Sequence, residues 1–488
     1  MRNWLSVAAD DFAALRSHCL AGPDEDVAFA VASLVREAAD TGLLIRDWAP
    51  VPPEHYIERS PSHFSIDSTH VVPWLKRAEE LDGTLVLVHG HRGTFAPEFS
   101  EADLRGERRL FSGALGYFGD RPMAALLINP EGAAARLWWP GVRGPDPIQR
   151  VKVVGERLQI FSRSSTEEAS ERHARQVLVI GSAGQHRVRS LKVAVVGAGG
   201  TGSLVIQLLA HLGVGSLLIV DPDRLETTNR SRVVGSGAGD EGQPKVNIAR
   251  RMVAGTDPEI EVEVVDGDIR DCAVAMRLRG TDVIFGCTDS HSSRALLNRL
   301  AFQYLVPVID LGVAVSQTAT GAISGVAAEV RPLAPGAACL WCQGRLRTER
   351  IEWESLTEAE RGARVRFNYG LSEIAEPSVI TFNAIAAAHA VTLLQDALNP
   401  LIAQREATGV LVWRGGTGEA GRAGPDGSAI PSGRRPTARS HQSHRAGSSR
   451  CRSSLATSVE QATASRAGIH GLKLQDCDGH PISHTHCV

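Results

Sequence analysis

The sequence has few cysteines and few aromatic residues, and it has no long hydrophobic run. Its 488 residues include eight cysteines, of which only Cys339 and Cys342 form a C-x-x-C pair. Eight thiols in this length are too few for a disulfide scaffold, so we expect a chain of the reducing cytoplasm. No run of about 18 apolar residues occurs, and the start of the sequence lacks a basic-then-apolar pattern. We therefore expect neither a membrane span nor a secretory signal.

The sequence also lacks an excess of charge of either sign. It has 52 basic and 55 acidic residues, a formal net charge of -3. This balance does not predict a specific nucleic-acid partner. Hydrophobic residues make up 43% and charged residues 22% of the chain. These are the values of an ordinary globular protein, and they exclude a wholly disordered, collagen-like or coiled-coil chain.

Local patterns predict an α/β protein with more than one domain. After Leu191, strand-like runs alternate with helical runs, which is typical of a doubly wound, Rossmann-like parallel sheet. The residues before position 150 mix short apolar strands with amphipathic stretches and favour an α+β domain. From position 415 onward apolar residues become scarce, which predicts a disordered tail. The expected divisions are an α+β domain at 1–150, a polar linker at 151–170, an α/β domain at 171–414 and a tail at 415–488.

A glycine-rich turn follows the first strand of the α/β domain. Gly197, Gly199 and Gly202 fit the pattern G-x-G-x-x-G between an apolar strand and a helix. Such a turn lets backbone N–H groups approach a phosphate at the positive end of the helix. Asp221, at the end of the next strand, is placed to bind ribose hydroxyls. By itself this pattern also fits a nicotinamide-dependent oxidoreductase.

The residues after Asp221 favour ATP over a dinucleotide. Asn229, Arg232, Lys245 and Asp289 follow in order. A triphosphate with Mg²⁺ needs cations around the phosphates and a carboxylate for the metal, whereas a dinucleotide site does not. A purely structural alternative for Asp289 is that it caps the helix that follows it.

Taken in order, these motifs resemble the ThiF/MoeB-like adenylyltransferases, the superfamily of the ubiquitin-activating enzymes, over about residues 170–400. The resemblance implies that the three glycines line the nucleotide turn and that Asp221 holds the ribose. It also implies that Asn229, Arg232 and Lys245 contact the triphosphate and that Asp289 binds Mg²⁺. In a homodimer, Arg175 would reach the phosphates bound by the partner subunit. The implied reaction is attack of a carboxylate on the α-phosphate of ATP with release of pyrophosphate. The implied partner is a ubiquitin-like or sulfur-carrier protein of the β-grasp fold.

The cysteine pair lies where members of this family carry half of a four-cysteine zinc site. The second C-x-x-C is absent, and two thiolates do not complete tetrahedral coordination of Zn²⁺. Three interpretations of Cys339 and Cys342 stay open. They are a zinc site completed by distant ligands, a nucleophilic thiol (Cys339) that accepts the activated carboxylate, and an inert pair.

A second constellation lies in the α+β domain. His89 and His91 end an apolar strand, and Ser100 and Asp103 follow. Two histidines and a carboxylate make a three-ligand zinc site with an open fourth position. The pattern resembles the JAMM (JAB/MPN) metalloprotease signature, with one extra residue before the serine. On that resemblance His89, His91 and Asp103 bind Zn²⁺ and Ser100 steadies the oxyanion. The best match for the general base is Glu25, with the adjacent Asp26 as the alternative.

The two resemblances together predict one enzyme with two activities. It would adenylate the C-terminal carboxylate of a ubiquitin-like protein and, as a zinc hydrolase, trim or deconjugate that protein. Within the enzyme class, the alternative is an activator of sulfur carriers for thiamine, molybdopterin or cysteine biosynthesis. From other classes, an NAD-dependent oxidoreductase and a non-catalytic scaffold remain as alternatives.

Overall fold

A computed structural model describes residues 3–36, 40–116, 119–162, 170–318, 320, 322–366, 377–399, 410–414 and 419–423. The chain divides into two compact units, Met1–Glu168 and Ala169–Val488. Within the described ranges, no helix combines the length and the apolar character that crossing a bilayer requires.

The described residues of the first unit form eleven strands and three α-helices. The strands are β1 (Trp4–Ala8), β2 (Val27–Arg36), β3 (Thr41–Pro50), β4 (Tyr56–Ser60), β5 (His63–Ile66), β6 (Gly83–Gly90), β7 (Met123–Asn129), β8 (Gly132–Trp138), β9 (Asp146–Ile148), β10 (Arg150–Val154) and β11 (Leu158–Ser162). The helices are α1 (Ala9–Cys19), α2 (Ser68–Glu80) and α3 (Glu101–Ser112). Nine strands make one mixed sheet in the order β11-β10-β1-β3-β2-β6-β7-β8-β9, and β4 and β5 form a separate hairpin.

Strand β2 shows why this sheet is covered on both faces. Its first residues are all apolar and fully buried, and successive side chains of a strand point to opposite faces. The odd-numbered residues from 27 to 31 pack with α2 and α3, and the even-numbered residues from 28 to 32 pack with α1. The sheet is therefore the middle of three layers. The start of β2 pairs with the end of β6 at the edge where the candidate metal ligands are found.

The structure corrects the expected linker at 151–170. Residues 150–154 form β10, which pairs in parallel with β1, and residues 158–162 form β11, which pairs with β10. The linker prediction was wrong for these residues because a pairing partner about 146 residues away leaves no local signal. Val151 and Val153 are buried in the core, so this segment belongs to the first unit.

The described residues of the second unit form eight strands and eight α-helices. The strands are β12 (Lys192–Val196), β13 (Ser216–Val220), β14 (Glu261–Val265), β15 (Val283–Gly286), β16 (Val308–Gln317), β17 (Ile323–Leu333), β18 (Val410–Arg414) and β19 (Glu419–Ala423). The helices are α4 (Ala174–Arg189), α5 (Gly200–Leu212), α6 (Lys245–Thr256), α7 (Cys272–Met276), α8 (His291–Gln303), α9 (Thr348–Ser355), α10 (Glu358–Arg366) and α11 (Ile380–Leu398).

The strands of the second unit form a Rossmann-like sheet, as the alternating pattern predicted. The order is β14-β13-β12-β15-β16-β17-β18-β19. The first five strands in this order run parallel to one another. β17, β18 and β19 each pair in antiparallel register with the strand before them. The strand order reverses between β12 and β15. In open α/β sheets, ligands bind in the crevice at the carboxyl ends of the strands at such a point. The glycine turn and Asp289 follow these two strands.

The expected tail also needs a correction at one place. Residues 419–423, placed by composition in a disordered tail, form β19 and pair with β18 in antiparallel register. The composition of EAGRA carries no strand signal, but the edge of β18 offers unpaired backbone groups that a further strand can satisfy. The rest of the expected tail, residues 415–418 and 424–488, lies outside the described residues.

Candidate functional sites

In the first unit, the structure brings His89, His91 and Asp103 together. His89 is the penultimate residue of β6, His91 follows that strand, and Asp103 lies in the first turn of α3. One donor atom from each residue lies within 4.8 Å of the other two. His89 Nε2 is 3.3 Å from Asp103 Oδ1, and His91 Nε2 is 3.4 Å from Asp103 Oδ2. These three side chains converge on one point.

Of the three residues in this cluster, His89 is the one that the described part of the protein leaves unsatisfied. His89 is fully buried, and among the described residues neither of its ring nitrogens has a hydrogen-bond partner. Burial raises the pKa of Asp103, but the two imidazoles outweigh burial and hold that pKa well below its usual range. Two imidazoles and an ionised carboxylate are ligands that Zn²⁺ prefers, and the nitrogens of His89 have no hydrogen-bond partner in the described residues.

Glu25 lies beside the cluster, as the expected general base should. It immediately precedes Asp26 and β2, and its Oε1 is 3.6 Å from His91 Nε2. The side chain is buried, and Oε2 has no hydrogen-bond partner among the described residues. Burial raises the pKa of Glu25, and the Asp103 carboxylate raises it further, whereas the histidines oppose both effects. A carboxylate with a raised pKa is suited to proton transfer near neutral pH.

Ser100 has a structural contact that is not part of the metal-site pattern. It is the N-cap of α3, where its Oγ accepts a 3.1 Å hydrogen bond from the N–H of Asp103. In return, the Ser100 N–H donates a 2.6 Å hydrogen bond to Asp103 Oδ2. This capping box fixes the carboxylate that faces the two histidines. Ser100 is exposed beside the cluster, and its expected contact with an oxyanion stays a prediction.

The hairpin of β4 and β5 is fastened to the segment that carries Glu25. The Glu25 N–H donates to the Ser60 carbonyl at 2.9 Å, and the Val27 N–H donates to the Tyr56 hydroxyl at 2.8 Å. Between them, the Arg59 guanidinium forms an ion pair with the carboxylate of Asp26. Sequence reasoning missed these anchors because nothing in the local pattern pairs Arg59 with a residue 33 positions earlier.

In the second unit, Gly197 opens the nucleotide turn at the end of β12. Its φ is +95°, and a Cβ at this position would lie 2.6 Å from the carbonyl oxygen of Cys287. Only glycine avoids both the strain and the clash. At Gly199, by contrast, a Cβ would have no atom within 4 Å, so the turn leaves open space in front of the N-terminus of α5. This cradle fits a phosphate group.

Asp221 is tied into the same turn. Its Oδ2 accepts a 2.6 Å hydrogen bond from the N–H of Ala198, and its Oδ1 accepts a 2.8 Å hydrogen bond from the N–H of Asp223. Burial raises the pKa of Asp221, while these hydrogen bonds and the charge of Lys245 lower it. A carboxylate oxygen keeps a further lone pair after one hydrogen bond, so Asp221 can still accept from a ribose hydroxyl.

The expected triphosphate ligands lie around this carboxyl edge. Lys245 begins α6, is buried, and donates a 2.8 Å hydrogen bond from Nζ to Asp223 Oδ2. Asn229 is also buried, at the end of a short 3₁₀ turn. Arg232 is half-buried and donates a 2.9 Å hydrogen bond to the carbonyl of Thr228. The pairing of Lys245 with Asp223 is a contact that sequence reasoning did not foresee.

Asp289 and Arg175 are both exposed, and within the described residues neither side chain makes a hydrogen bond or ion pair. Asp289 follows β15, which pairs with β12, the strand that leads into the glycine turn. The N-cap of α8 is Ser290 and not Asp289, so the structural alternative for this aspartate was wrong. An unpartnered carboxylate beside a phosphate cradle fits Mg²⁺. Arg175 lies in the first turn of α4, and nothing in the described chain engages it.

The two cysteines of the C-x-x-C pair differ in exposure. Cys339 is buried, Cys342 is exposed, and their Sγ atoms are 3.3 Å apart. Among the described residues, no third ligand joins them in a metal cluster. All three interpretations of the pair therefore stay open.

Comparison with known proteins gives one family match. Residues 173–409 match the model of the ThiF family. The SAMP-activating enzyme E1 of Haloferax volcanii is 33% identical over 174 residues, which cover 35% of this chain and 61% of that protein. The molybdopterin-synthase adenylyltransferase of Salmonella typhimurium is 34% identical over 141 residues, which cover 28% of this chain and 57% of that protein. The chain thus spans less than two thirds of the length of these curated relatives.

Among solved structures, a crystal structure of E. coli MccB with ATP is similar at a TM-score of 0.42 and 18% identity. The similarity covers 54% of this chain and 74% of that chain.

Proposed function

Because residues 173–409 match the model of the ThiF family, we propose that this chain adenylates the C-terminal carboxylate of a ubiquitin-like or sulfur-carrier protein. The observation that carries the proposal is the carboxyl edge of β12 and β15. There an open glycine cradle, the buried carboxylate of Asp221, two cationic side chains and the unpartnered Asp289 follow the carboxyl ends of the strands. The similarity to enzymes named for SAMP and molybdopterin synthase supports this class of substrate.

In the proposed reaction, a carboxylate oxygen of the carrier attacks the α-phosphorus of ATP. A new P–O bond forms, the bond between the α-phosphorus and the bridging oxygen breaks, and pyrophosphate leaves. No proton is transferred, so the protein supplies position and charge. Asp221 orients the ribose, Lys245 and Arg232 offset the charge of the phosphates, and Asp289 holds Mg²⁺.

Exchange of labelled pyrophosphate into ATP tests this function. The purified chain is incubated with ATP, Mg²⁺ and each of a panel of small β-grasp proteins ending in glycine. We expect exchange with at least one carrier, and we expect Asp289→Asn to reduce the rate by at least about 100-fold because the metal ligand is lost. The control is Glu349→Gln, an exposed carboxylate on α9. Exchange with none of the carriers would contradict the proposal.

A second function is proposed for the first unit, namely zinc-dependent cleavage of the peptide or isopeptide bond that follows the carrier's terminal glycine. It is carried by the convergence of His89, His91 and Asp103 beside the buried Glu25. Zn²⁺ bound there would polarise the scissile carbonyl and make water a stronger nucleophile. Glu25 would take a proton from the attacking water and deliver it to the leaving nitrogen.

Cleavage of a carrier precursor with a C-terminal extension tests the hydrolase. We expect Glu25→Gln to lower the cleavage rate by at least about 100-fold while the zinc content stays the same, because the amide cannot accept the proton. Glu131→Gln, an exposed carboxylate in the turn between β7 and β8, is the control. Full activity of Glu25→Gln would reassign the base.

A further inference from the structure

The segment from Leu340 to Glu354 is fastened to helix α8 at three points. The N–H of Leu340 donates a 2.8 Å hydrogen bond to Asn298 Oδ1 in the middle of α8. The N–H of Arg347 donates a 3.3 Å hydrogen bond to His291 Nδ1 in its first turn. At the end of the segment, the carboxylate of Glu354 sits on the N-terminus of α8. We call residues 340–354 the latch segment.

Glu354 provides the strongest of these attachments. Its carboxylate accepts hydrogen bonds from the N–H of His291 at 2.9 Å, the N–H of Ser292 at 2.7 Å and the hydroxyl of Ser290 at 2.8 Å, and also from the hydroxyl of Ser292. The first N–H groups of a helix have no partner within the helix, and a carboxylate there is favoured by the helix dipole. This carboxylate comes from about 64 positions further along the chain.

Apolar packing holds the latch segment on the same helix. Leu340 and Leu346 are buried in one cluster with Leu297 and Leu300 of α8. Ile351 of α9 packs against the edge of this cluster. The hydrogen bonds of Glu354 therefore sit at the end of an interface that is already formed.

The residues that Glu354 holds come directly after Asp289. On its other side, Asp289 is preceded by Cys287, whose N–H donates a 2.8 Å hydrogen bond to the Val196 carbonyl at the start of the glycine turn. The Asp289 side chain itself has no partner within the described residues. Its place is thus fixed by the sheet before it and by Glu354 after it.

We propose that Glu354 is a positioning residue for Asp289. It fixes the start of α8 and so keeps the Asp289 carboxylate at a position where it can coordinate a magnesium ion bound to the triphosphate. The latch segment begins between the two cysteines of the C-x-x-C pair. This inference rests on the proposed adenylation function and adds a residue that no motif in the sequence marks.

Two measurements on the full chain test the proposal. Hydrogen exchange of a peptide spanning residues 288–296 reports whether the carboxylate protects the first amides of α8. Calorimetric titration of ATP at a series of Mg²⁺ concentrations reports whether the metal ligand is in place. For Glu354→Gln we expect at least about fivefold faster exchange at His291 and Ser292, since an amide oxygen is a weaker acceptor than a carboxylate. We also expect the Mg²⁺ concentration for half-maximal ATP affinity to rise several-fold, while ATP affinity without Mg²⁺ is unchanged.

The matched control is Glu352→Gln, which changes an exposed carboxylate two residues away on the same helix. Ser292→Ala removes one hydroxyl donor and should shift both readouts in the same direction by a smaller amount. A purely structural cap would lower the melting temperature but leave the Mg²⁺ dependence as in the unsubstituted chain, and that result would overturn the proposal. If the unsubstituted chain binds no ATP with Mg²⁺, the adenylation function itself is contradicted.

Discussion

Gly202 faces the carbonyl oxygen of Gly197 so closely that a Cβ at position 202 would lie 1.8 Å from that oxygen. Gly197 adopts a positive φ that would strain another residue, and Gly202 lies where any side chain would clash with the Gly197 carbonyl. The first turn of α5 and the end of β12 can come this near only because neither residue has a side chain.

The contact between the two glycines predicts the effect of a single methyl group. We expect Gly202→Ala to displace the turn, to reduce stability by about 2 kcal/mol, as overpacking does, and to weaken ATP binding by at least about tenfold. Gly255→Ala is the matched control, because a Cβ there meets no atom within 4 Å and alanine favours the helix α6 by about 0.5–1 kcal/mol. Urea unfolding and calorimetry measure both effects. Wild-type ATP affinity in Gly202→Ala would show that the cradle does not hold phosphate.

The convergence of His89, His91 and Asp103 predicts the metal content of the purified chain. We expect about one equivalent of zinc, as in a three-ligand site, and a fall to below about 0.1 equivalent in His89→Ala. His63→Ala changes a histidine that lines the same pocket but is not in the ligand cluster, and it should keep its zinc. Elemental analysis after dialysis decides the matter. Equal zinc in both variants would contradict the assigned ligands.

The ion pair of Arg59 with Asp26 predicts an indirect effect on the proposed base. Arg59→Ala removes the charge that fastens the β4–β5 hairpin beside Glu25, so we expect cleavage of a carrier precursor to slow by about tenfold with unchanged zinc content. Amide exchange in residues 56–66 should rise in parallel. Arg157→Ala, in the exposed turn between β10 and β11, controls for loss of a cation. Slow cleavage without faster exchange would assign Arg59 a direct contact with substrate instead.

The carboxylate of Asp240 predicts a dependence of stability on pH. Hydrogen bonds from Arg251 and from the N–H of Gly237 lower the pKa of Asp240 to about 2. Because this pKa is below its value in the unfolded chain, the ionised form stabilises the fold above about pH 4, and the stabilisation is lost as the pH falls through about 2. We expect Asp240→Asn to melt at a lower temperature than the unsubstituted chain at pH 7.

The difference in melting temperature between these two proteins should be much smaller at pH 2 than at pH 7, because about half of the Asp240 carboxylate is protonated at pH 2. Glu349→Gln, whose exposed side chain makes no hydrogen bond or ion pair in the described part of the chain, should melt as the unsubstituted chain does at both pH values. A difference for Asp240→Asn that persists unchanged at pH 2 would mean that the charge of the carboxylate is not its source.

Sequence reasoning predicted the parts of this protein that are encoded locally. The alternation of strands and helices gave the Rossmann-like sheet, and the glycine turn, Asp221 and Lys245 come to one edge because parallel strands end at one edge. His89 of β6 and His91 just after it meet because the pairing with β7 continues through the His91 N–H, and residues two apart in extended backbone share a face. In each case the pattern of residues along a short stretch of sequence is enough to predict where their side chains lie.

The parts that could not be predicted depend on partners far along the chain. Glu354 looks like any exposed glutamate of a short helix until the start of α8 is placed beside it. Arg59 and Asp26, and likewise β10 and β1, are pairs without a local signal. The capping role of Ser100 was readable from its spacing to Asp103, but the metal-site pattern drew attention to another role for the same residue.

The position of β1 has a consequence for synthesis of the chain. β1 lies between β3 and β10, so among the described strands it is the one that joins β10 and β11 to the rest of the sheet by hydrogen bonds. On the ribosome, β1 is made early, but its second partner emerges about 150 residues later, roughly 10–30 s at ordinary rates of translation. Throughout that interval one edge of β1 is open to wrong partners. The first unit can therefore pair β10 with β1 only after residue 154 has left the exit tunnel.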